Sequence, residues 1–293
     1  MRSLANESED MQQKQAVLIS GCSSGIGLCV ARGLQRAGFR VIASARKAAD
    51  VERLRDEHGL EALPLDLDSR ASITTAVQTT LELTGGRLYG LFNNGAYGQP
   101  GAVEDLTWET LEAQLRTNLL GWHELTRQVI PVMRARGAGR IIQNSSVLGF
   151  AAMPYRGAYT CSKFALEGLS DTLRLELAGT GIFVSLVQPG PISSRFRENA
   201  YRKYLENIDA AHSPHRANYQ AMEARLRKEG AATPFTLPPE AVLAKVLHAL
   251  RSPRPRARYP VTLPTHAFAL LRRLLGTRQM DWVLRRASGR GAR

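Results

Sequence analysis

Cysteine is scarce. Cys22, Cys29 and Cys161 are the only three in the chain, and neither a pairing framework nor histidines at ligand spacing accompany them. That argues against a disulfide-stapled scaffold and against a metal site, and makes a reducing compartment the simpler setting. Long apolar runs are missing too. A membrane-spanning helix needs about 18 consecutive apolar residues, and the nearest candidate, AFALL, is cut off by Arg272 and Arg273. The opening MRSLANESEDMQQKQ has no apolar core and does not read as a secretory signal, so residues 1–14 are expected to be a flexible lead-in and the protein cytoplasmic. No internal repeat or low-complexity tract occurs, which argues against solenoid and disordered readings.

What is present is the balance of a globular chain: 44% apolar and 22% charged residues in 293, enough for one large α/β domain with a sizeable core. A net charge of +13 would suggest nucleic acid or an anionic membrane if it covered the surface. It does not. Residues 251–293 hold eleven arginines against one acid, Asp281, so +10 of the charge sits there. The run RSPRPRAR lacks interleaved aromatics, which argues against nucleic acid as a partner. Ala267, Phe268, Leu271, Leu274 and Leu275 recur at helical spacing beside Arg272 and Arg273, predicting an amphipathic helix in a basic extension over 264–293. Such a stripe docks on the protein's own body, pairs two subunits into a homo-oligomer, or makes peripheral contact with an anionic membrane.

Upstream, short apolar runs at 16–20, 40–44, 60–65, 88–92, 140–145 and 182–187 alternate with helical patterns at 25–37, 48–57, 69–84, 107–136 and 157–179. A helix at 239–250 and a short strand at 257–263 continue the rhythm. Alternation of this kind predicts a doubly wound α/β fold with a parallel sheet, forming a single domain over 15–263. Thr107 is a candidate N-cap. Residues 193–238 interrupt the rhythm with polar, helix-prone sequence at the carboxyl edge of the sheet, where a substrate lid would sit. Phe196, Tyr201, Tyr204, Tyr219, Met222 and Phe235 lie in it. They fit either a lipophilic substrate or ordinary packing of the lid.

Two patterns carry chemistry. SGCSSGIG runs from the first strand into a helix, and Gly21, Gly25 and Gly27 allow a tight turn, close approach of a diphosphate to the backbone, and close helix packing. The second pattern, GAYTCSKFALEG, sets Tyr159 and Lys163 four residues apart, on one helix face. An ammonium beside a phenol is expected to lower its pKa and make it a usable proton carrier. Ser145 and Ser146 close the fifth strand, and either hydroxyl is placed to bond a substrate oxygen.

SGCSSGIG, NNGA at 93–96, Asn118, Ser146, Tyr159-x3-Lys163 and PGPISS at 189–194 together resemble the short-chain dehydrogenase/reductases over residues 15 to about 262, in the branch of 17β-hydroxysteroid and retinol dehydrogenases and bacterial NADP-dependent aldehyde reductases. The resemblance implies a Rossmann-type fold. It implies that Tyr159 donates a proton to a substrate carbonyl, that Ser146, thirteen residues earlier, polarises that carbonyl, that Lys163 binds the nicotinamide ribose, and that Asn118 holds a helix kink and a proton relay. It extends the nucleotide site to Ser23, Ile26, Leu67 and Ile192. Asp66 is implied for the adenine, Asn93 and Gly95 for the adenosine side, and Pro189, Gly190 and Ser194 for the nicotinamide. Where the family has Asn-Asn-Ala-Gly this chain has Asn-Asn-Gly-Ala, and Gly95 is expected to supply the backbone angles that still admit the nucleotide. After the second strand come Ser44, Ala45 and Arg46 in place of a ribose-binding carboxylate. Arg46, with Ser24 assisting, suits the 2′-phosphate of NADP(H). The expected protein is an NADP(H)-dependent oxidoreductase acting on a small-molecule carbonyl or alcohol; an NADP-binding regulator without turnover, or a membrane or nucleic-acid interaction protein using its tail, are the alternatives.

Overall fold

The computed structural model describes residues 14–227, 230 and 234–288. Of the lead-in expected over 1–14 only Lys14 is among them, and Arg290 and Arg293 of the basic extension lie outside. The strands are β1 (Ala16–Ile19), β2 (Arg40–Ala45), β3 (Glu61–Pro64), β4 (Leu88–Asn93), β5 (Gly139–Asn144), β6 (Ile182–Gln188) and β7 (Arg258–Pro260). All pair in parallel in the order β3-β2-β1-β4-β5-β6-β7. Alternate side chains of a strand point to opposite faces, and β1 divides accordingly. Val17 and Ile19 join a core with Val30, Leu34 and Val246, while Ala16 and Leu18 join a second with Ile73, Trp122 and Val129. Burial on both faces is why these strands are continuously apolar.

Helices α1 (Gly25–Arg36), α2 (Ala48–Asp56) and α3 (Arg70–Thr84) follow the first three strands. The helix expected over 107–136 is instead three pieces: α4 (Trp108–Leu115), a π-helical turn (Arg116–Leu120) and α5 (Gly121–Ala135). Thr107 does cap α4, its side chain accepting from the Thr110 amide. The extra residue of the π-turn turns Asn118 fully inward. Gly121, next along, lies so close to β3's exit that a Cβ would come within 2.2 Å of the Leu67 carbonyl. The remaining core helices are α6 (Gly157–Glu176) and, after the insertion, α9 (Glu240–Arg251). The strand order reverses between β1 and β4, where doubly wound sheets open a crevice for ligands.

The insertion forms α7 (Phe196–Asn207) and α8 (Arg216–Arg227). Tyr204, Tyr219 and Met222 build a small core of their own with Ala102 and Ile208. Tyr219 ties it to the body, its hydroxyl accepting from the Ala102 amide at 2.9 Å and donating to Asp105. These three are lid packing, and Phe235 faces solvent.

The extension is not one helix. α10 (Leu263–Leu274) ends where Leu275 turns extended, and α11 (Thr277–Ala287) follows. Phe268, Leu271, Met280 and Leu284 pack against Val147, Leu148 and Ala151, just beyond β5. Arg272 fastens the contact by donating to the Phe150 carbonyl. Ala267 and Leu274, assigned to the apolar stripe, face solvent instead, because the break after Leu274 re-aims the second half. No helix among the described residues is long and apolar enough to cross a membrane. If this packing holds the tail, Leu284→Ala should cost α11 roughly 2 kcal/mol of local stability, seen as about thirtyfold faster amide exchange there with β4 and β5 unchanged. Equal protection in α11 would contradict the contact.

Candidate active site

At the crevice the glycine loop and the β4 exit nest backbone against backbone. A Cβ on Gly21 would lie 2.4 Å from Gly95 Cα, and one on Gly27 would lie 2.1 Å from the Gly21 carbonyl. Gly21 and Gly25 take left-handed angles, φ 72° and 55°. Gly95 does not: its part is close approach, not the special backbone angle expected of it. Ser24 stands at the N-cap of α1 yet makes no capping bond, so its hydroxyl and the first amides of the helix are uncommitted. Ile26 packs on the core below, and Arg53 of α2 donates to the Ser23 carbonyl at 2.7 Å. A bare backbone at a helix N-terminus fits a dinucleotide diphosphate.

Asn94, not Asn93, faces this loop. Its amide nitrogen donates to Ser20 and Gly21 carbonyls at 3.1 and 3.0 Å, and its oxygen accepts from Asn144 at 2.9 Å. Asn93, assigned to the nucleotide, is fully buried and spends its amide hydrogens on Thr126 and Gln143, which leaves only its main chain for a ligand. Leu67 packs against Gly95. Asp66 closes a turn, one oxygen accepting from the Asp68 amide. Arg46 is exposed at the end of β2 and has no bonding partner among the described residues. On the far wall the Pro189 carbonyl accepts from the Val147 amide at 2.8 Å, Ile192 pairs with Leu237, and Gly190 sits where a Cβ would strike Thr262. Ser194 lies over Gly25, 3.0 Å from where that glycine's Cβ would be.

Tyr159 and Lys163 rise from the first turns of α6 toward the end of β5. The Tyr159 hydroxyl hydrogen-bonds Ser146, whose oxygen also accepts from the Leu148 amide at 3.1 Å. Lys163 is almost wholly enclosed. Its ammonium donates to the Asn144 carbonyl at 2.9 Å and lies 4.0 Å from the centre of the Trp122 ring, whose own N–H holds Gly95 at 2.7 Å. Asn118 uses its side chain on Tyr97, donating to its carbonyl at 2.8 Å and accepting from its amide at 3.2 Å, which fixes the chain leaving NNGA to the π-turn. Lid residue Phe196 lays its ring edge-on to Tyr159, centroids 5.4 Å apart.

Glu167 escaped the sequence reading. It repeats the four-residue step of Tyr159 and Lys163 along α6, and that spacing was the available signal. Buried, it accepts from Ser145 at 2.6 Å and Gln188 at 2.9 Å on one oxygen, and from Arg258 at 3.0 Å on the other. One carboxylate thus clamps the ends of β5, β6 and β7, the strands that deliver Ser146 and Pro189. Ser145 is committed to this clamp.

The electrostatics correct one expectation. Lys163 does not bring the phenol down: burial pushes Tyr159 up to about 12, opposed by the bond from Ser146. Burial also drives Lys163 down to about 7, opposed by Glu167. Loss of water disfavours phenolate and ammonium alike, and here it outweighs their mutual attraction. An unfolded lysine keeps its proton to about 10.5, whereas this one loses it near 7. Between those values the unfolded chain binds the extra proton, so the contribution of this group to stability rises with pH. The stability of the parent minus that of Lys163→Met should therefore increase from pH 7 to about pH 9.5, by at most ~1.4 kcal/mol per pH unit, in urea melts. Parallel pH profiles would show that the ammonium is not desolvated.

Residues 15–205 match the family model described as short chain dehydrogenase. The protein named uncharacterized oxidoreductase YbbO, of Escherichia coli strain K12, is 44% identical over 271 residues, 92% of this chain and 94% of that one. The 17-beta-hydroxysteroid dehydrogenase type 6 of Bos taurus is 33% identical over 288 residues, 94% and 89% of the two chains. A solved actinorhodin polyketide ketoreductase with NADPH shares 29% identity at a TM-score of 0.70, over 85% of this chain and 96% of that one. For fold alone, a short chain dehydrogenase/reductase from Burkholderia phymatum in complex with NAD superposes at a TM-score of 0.76 with 21% identity, over 93% and 95%. With the glycine cradle, the Ser146–Tyr159 pair and the enclosed Lys163 on one crevice, the chain belongs to the short-chain dehydrogenase/reductase family of oxidoreductases.

Proposed function

We propose that this oxidoreductase moves hydride between NADP(H) and an aldehyde or ketone, or the corresponding alcohol, on a substrate with an apolar body. The observation that supports the reaction is the Tyr159 hydroxyl on Ser146 with Lys163 one turn below. Bound over the glycine loop, the nicotinamide would supply or accept the hydride. Tyr159, kept neutral by burial, holds the proton a carbonyl oxygen needs as it becomes an alcohol. Ser146 accepts from the Leu148 amide and so keeps its own proton to donate, to Tyr159 in the free protein and to a carbonyl oxygen set between them. Lys163, balanced near neutrality, takes up a proton as the phenolate forms.

The NADP(H) preference is supported by Arg46, exposed and without a partner beside Ala45 at the strand end. A carboxylate there would bond both ribose hydroxyls and repel a 2′-phosphate; a guanidinium does the reverse. The apolar substrate body is supported by Phe196 against the Tyr159 ring.

Tyr159→Phe should bind NADPH nearly as the parent does, by fluorescence quenching, and lose carbonyl reduction by about a hundredfold or more on an aldehyde and ketone panel. Retention of most of kcat would remove Tyr159 from the proton route. For the nucleotide, the parent should show higher kcat/KM with NADPH than NADH, and Ala45→Asp with Arg46→Ala should shift that ratio toward NADH by about tenfold. An unchanged ratio in the double variant would place the 2′-phosphate site elsewhere.

A further inference from the structure

Arg156 belongs to none of the groups above. It stands at the N-cap of α6, three residues before Tyr159 and so about one turn from it. Its main chain pairs with Gly101 in an isolated bridge, and the adjoining Tyr155 packs edge-on to Tyr219 of lid helix α8. The residue sits where the first turn of α6, the 100–106 loop and the lid meet.

Its guanidinium has no hydrogen bond or ion pair among the described residues. The charge that acts on it is another arginine, Arg225 of α8, which is equally without an acceptor. The acids of this wall are already engaged: Glu104 with His215, and Asp105 with Ser213 and Tyr219. Burial, with the repulsion of Arg225 added, pulls the Arg156 guanidinium down to about 10. Arg156 makes no side-chain cap, so the open first amides of a 20-residue helix lie beside the two cations. A desolvated cation next to a like charge is costly until an anion joins it.

We infer that Arg156 and Arg225 receive an anionic end of the substrate, a carboxylate or phosphate, while Tyr159 serves its carbonyl. The inference rests on the oxidoreductase reading and narrows it: the substrate is an amphiphile with a reducible carbonyl, an apolar stem and an acidic group, such as an oxo acid or a semialdehyde. Two guanidinium forks match a carboxylate or phosphate better than a neutral hydroxyl.

A binding experiment without turnover separates this inference from the catalytic one. Nonanoate, nonyl phosphate and nonanol are titrated calorimetrically into the NADP-saturated protein. One or both anions should bind at least about tenfold more tightly than the alcohol, and which of them does so identifies the acid group. Arg156→Met and Arg225→Met should bring the anion to the alcohol's level, and Arg156→Lys should recover part of the difference. In a parallel assay the kcat/KM of Arg156→Met should fall about tenfold on a nine-carbon ω-oxo carboxylate and stay within about twofold on nonanal. Equal affinity of the parent for anion and alcohol, or an anion preference that survives Arg156→Met, would overturn the proposal. So would an equal loss on all three ligands. If neither aldehyde is reduced but Arg156-dependent anion binding remains, the reductase reading fails and the anion site stands.

Discussion

A lysine with almost no contact with water is the constraint around which this crevice is organised. Lys163 cannot remain ionised there without partners, and its two partners are the carbonyl of Asn144 and the face of Trp122. Each is also fastened to the nucleotide side: Asn144 donates to Asn94, which holds the glycine loop, and the Trp122 N–H holds Gly95. The catalytic side and the nucleotide side therefore share one hydrogen-bonded frame. A shift in either would strand a buried polar group, which costs more than the bond itself contributes.

Glu167 performs the corresponding task at the opposite wall. Three strand ends converge on its two oxygens, and one of its donors, Arg258, also reaches Asp171 at 2.6 Å. Being acidic, it also offsets part of the desolvation of Lys163 one turn away. The basic extension completes this wall from outside, since Met280 and Leu284 cover the residues that follow Ser146. A tail that reads as a surface device from its charge thus serves as packing for the segment that carries the serine.

Much of this was legible in advance. The seven strands lie within a residue or two of the apolar runs, because strands buried on both faces must be apolar throughout, and the glycine spacing marks the crevice end of β1. The Tyr159 and Lys163 pair follows from helical spacing alone. What escaped depends on contacts between distant segments. Asn93 and Asn94 are identical residues side by side, and only strand geometry decides which faces the glycine loop. The π-turn at 116–120 has no propensity signature, and its cause is the pull of Tyr97 on Asn118 across the crevice. The direction of the Tyr159 shift depended on how much water the fold removes, which spacing cannot reveal.

The contact of Phe196 with Tyr159 joins the lid to the acid. Part of what keeps the phenol dry is contributed by a residue at the start of α7, so opening the lid would return water to Tyr159 and let its proton bind less tightly. Proton affinity and admission of substrate are then one variable: an open crevice holds a weaker grip on the proton, and closure over a ligand restores it at the moment the carbonyl arrives. Commitment to reaction would accordingly be set by the hinge at 193–195 rather than by the chemistry beneath it.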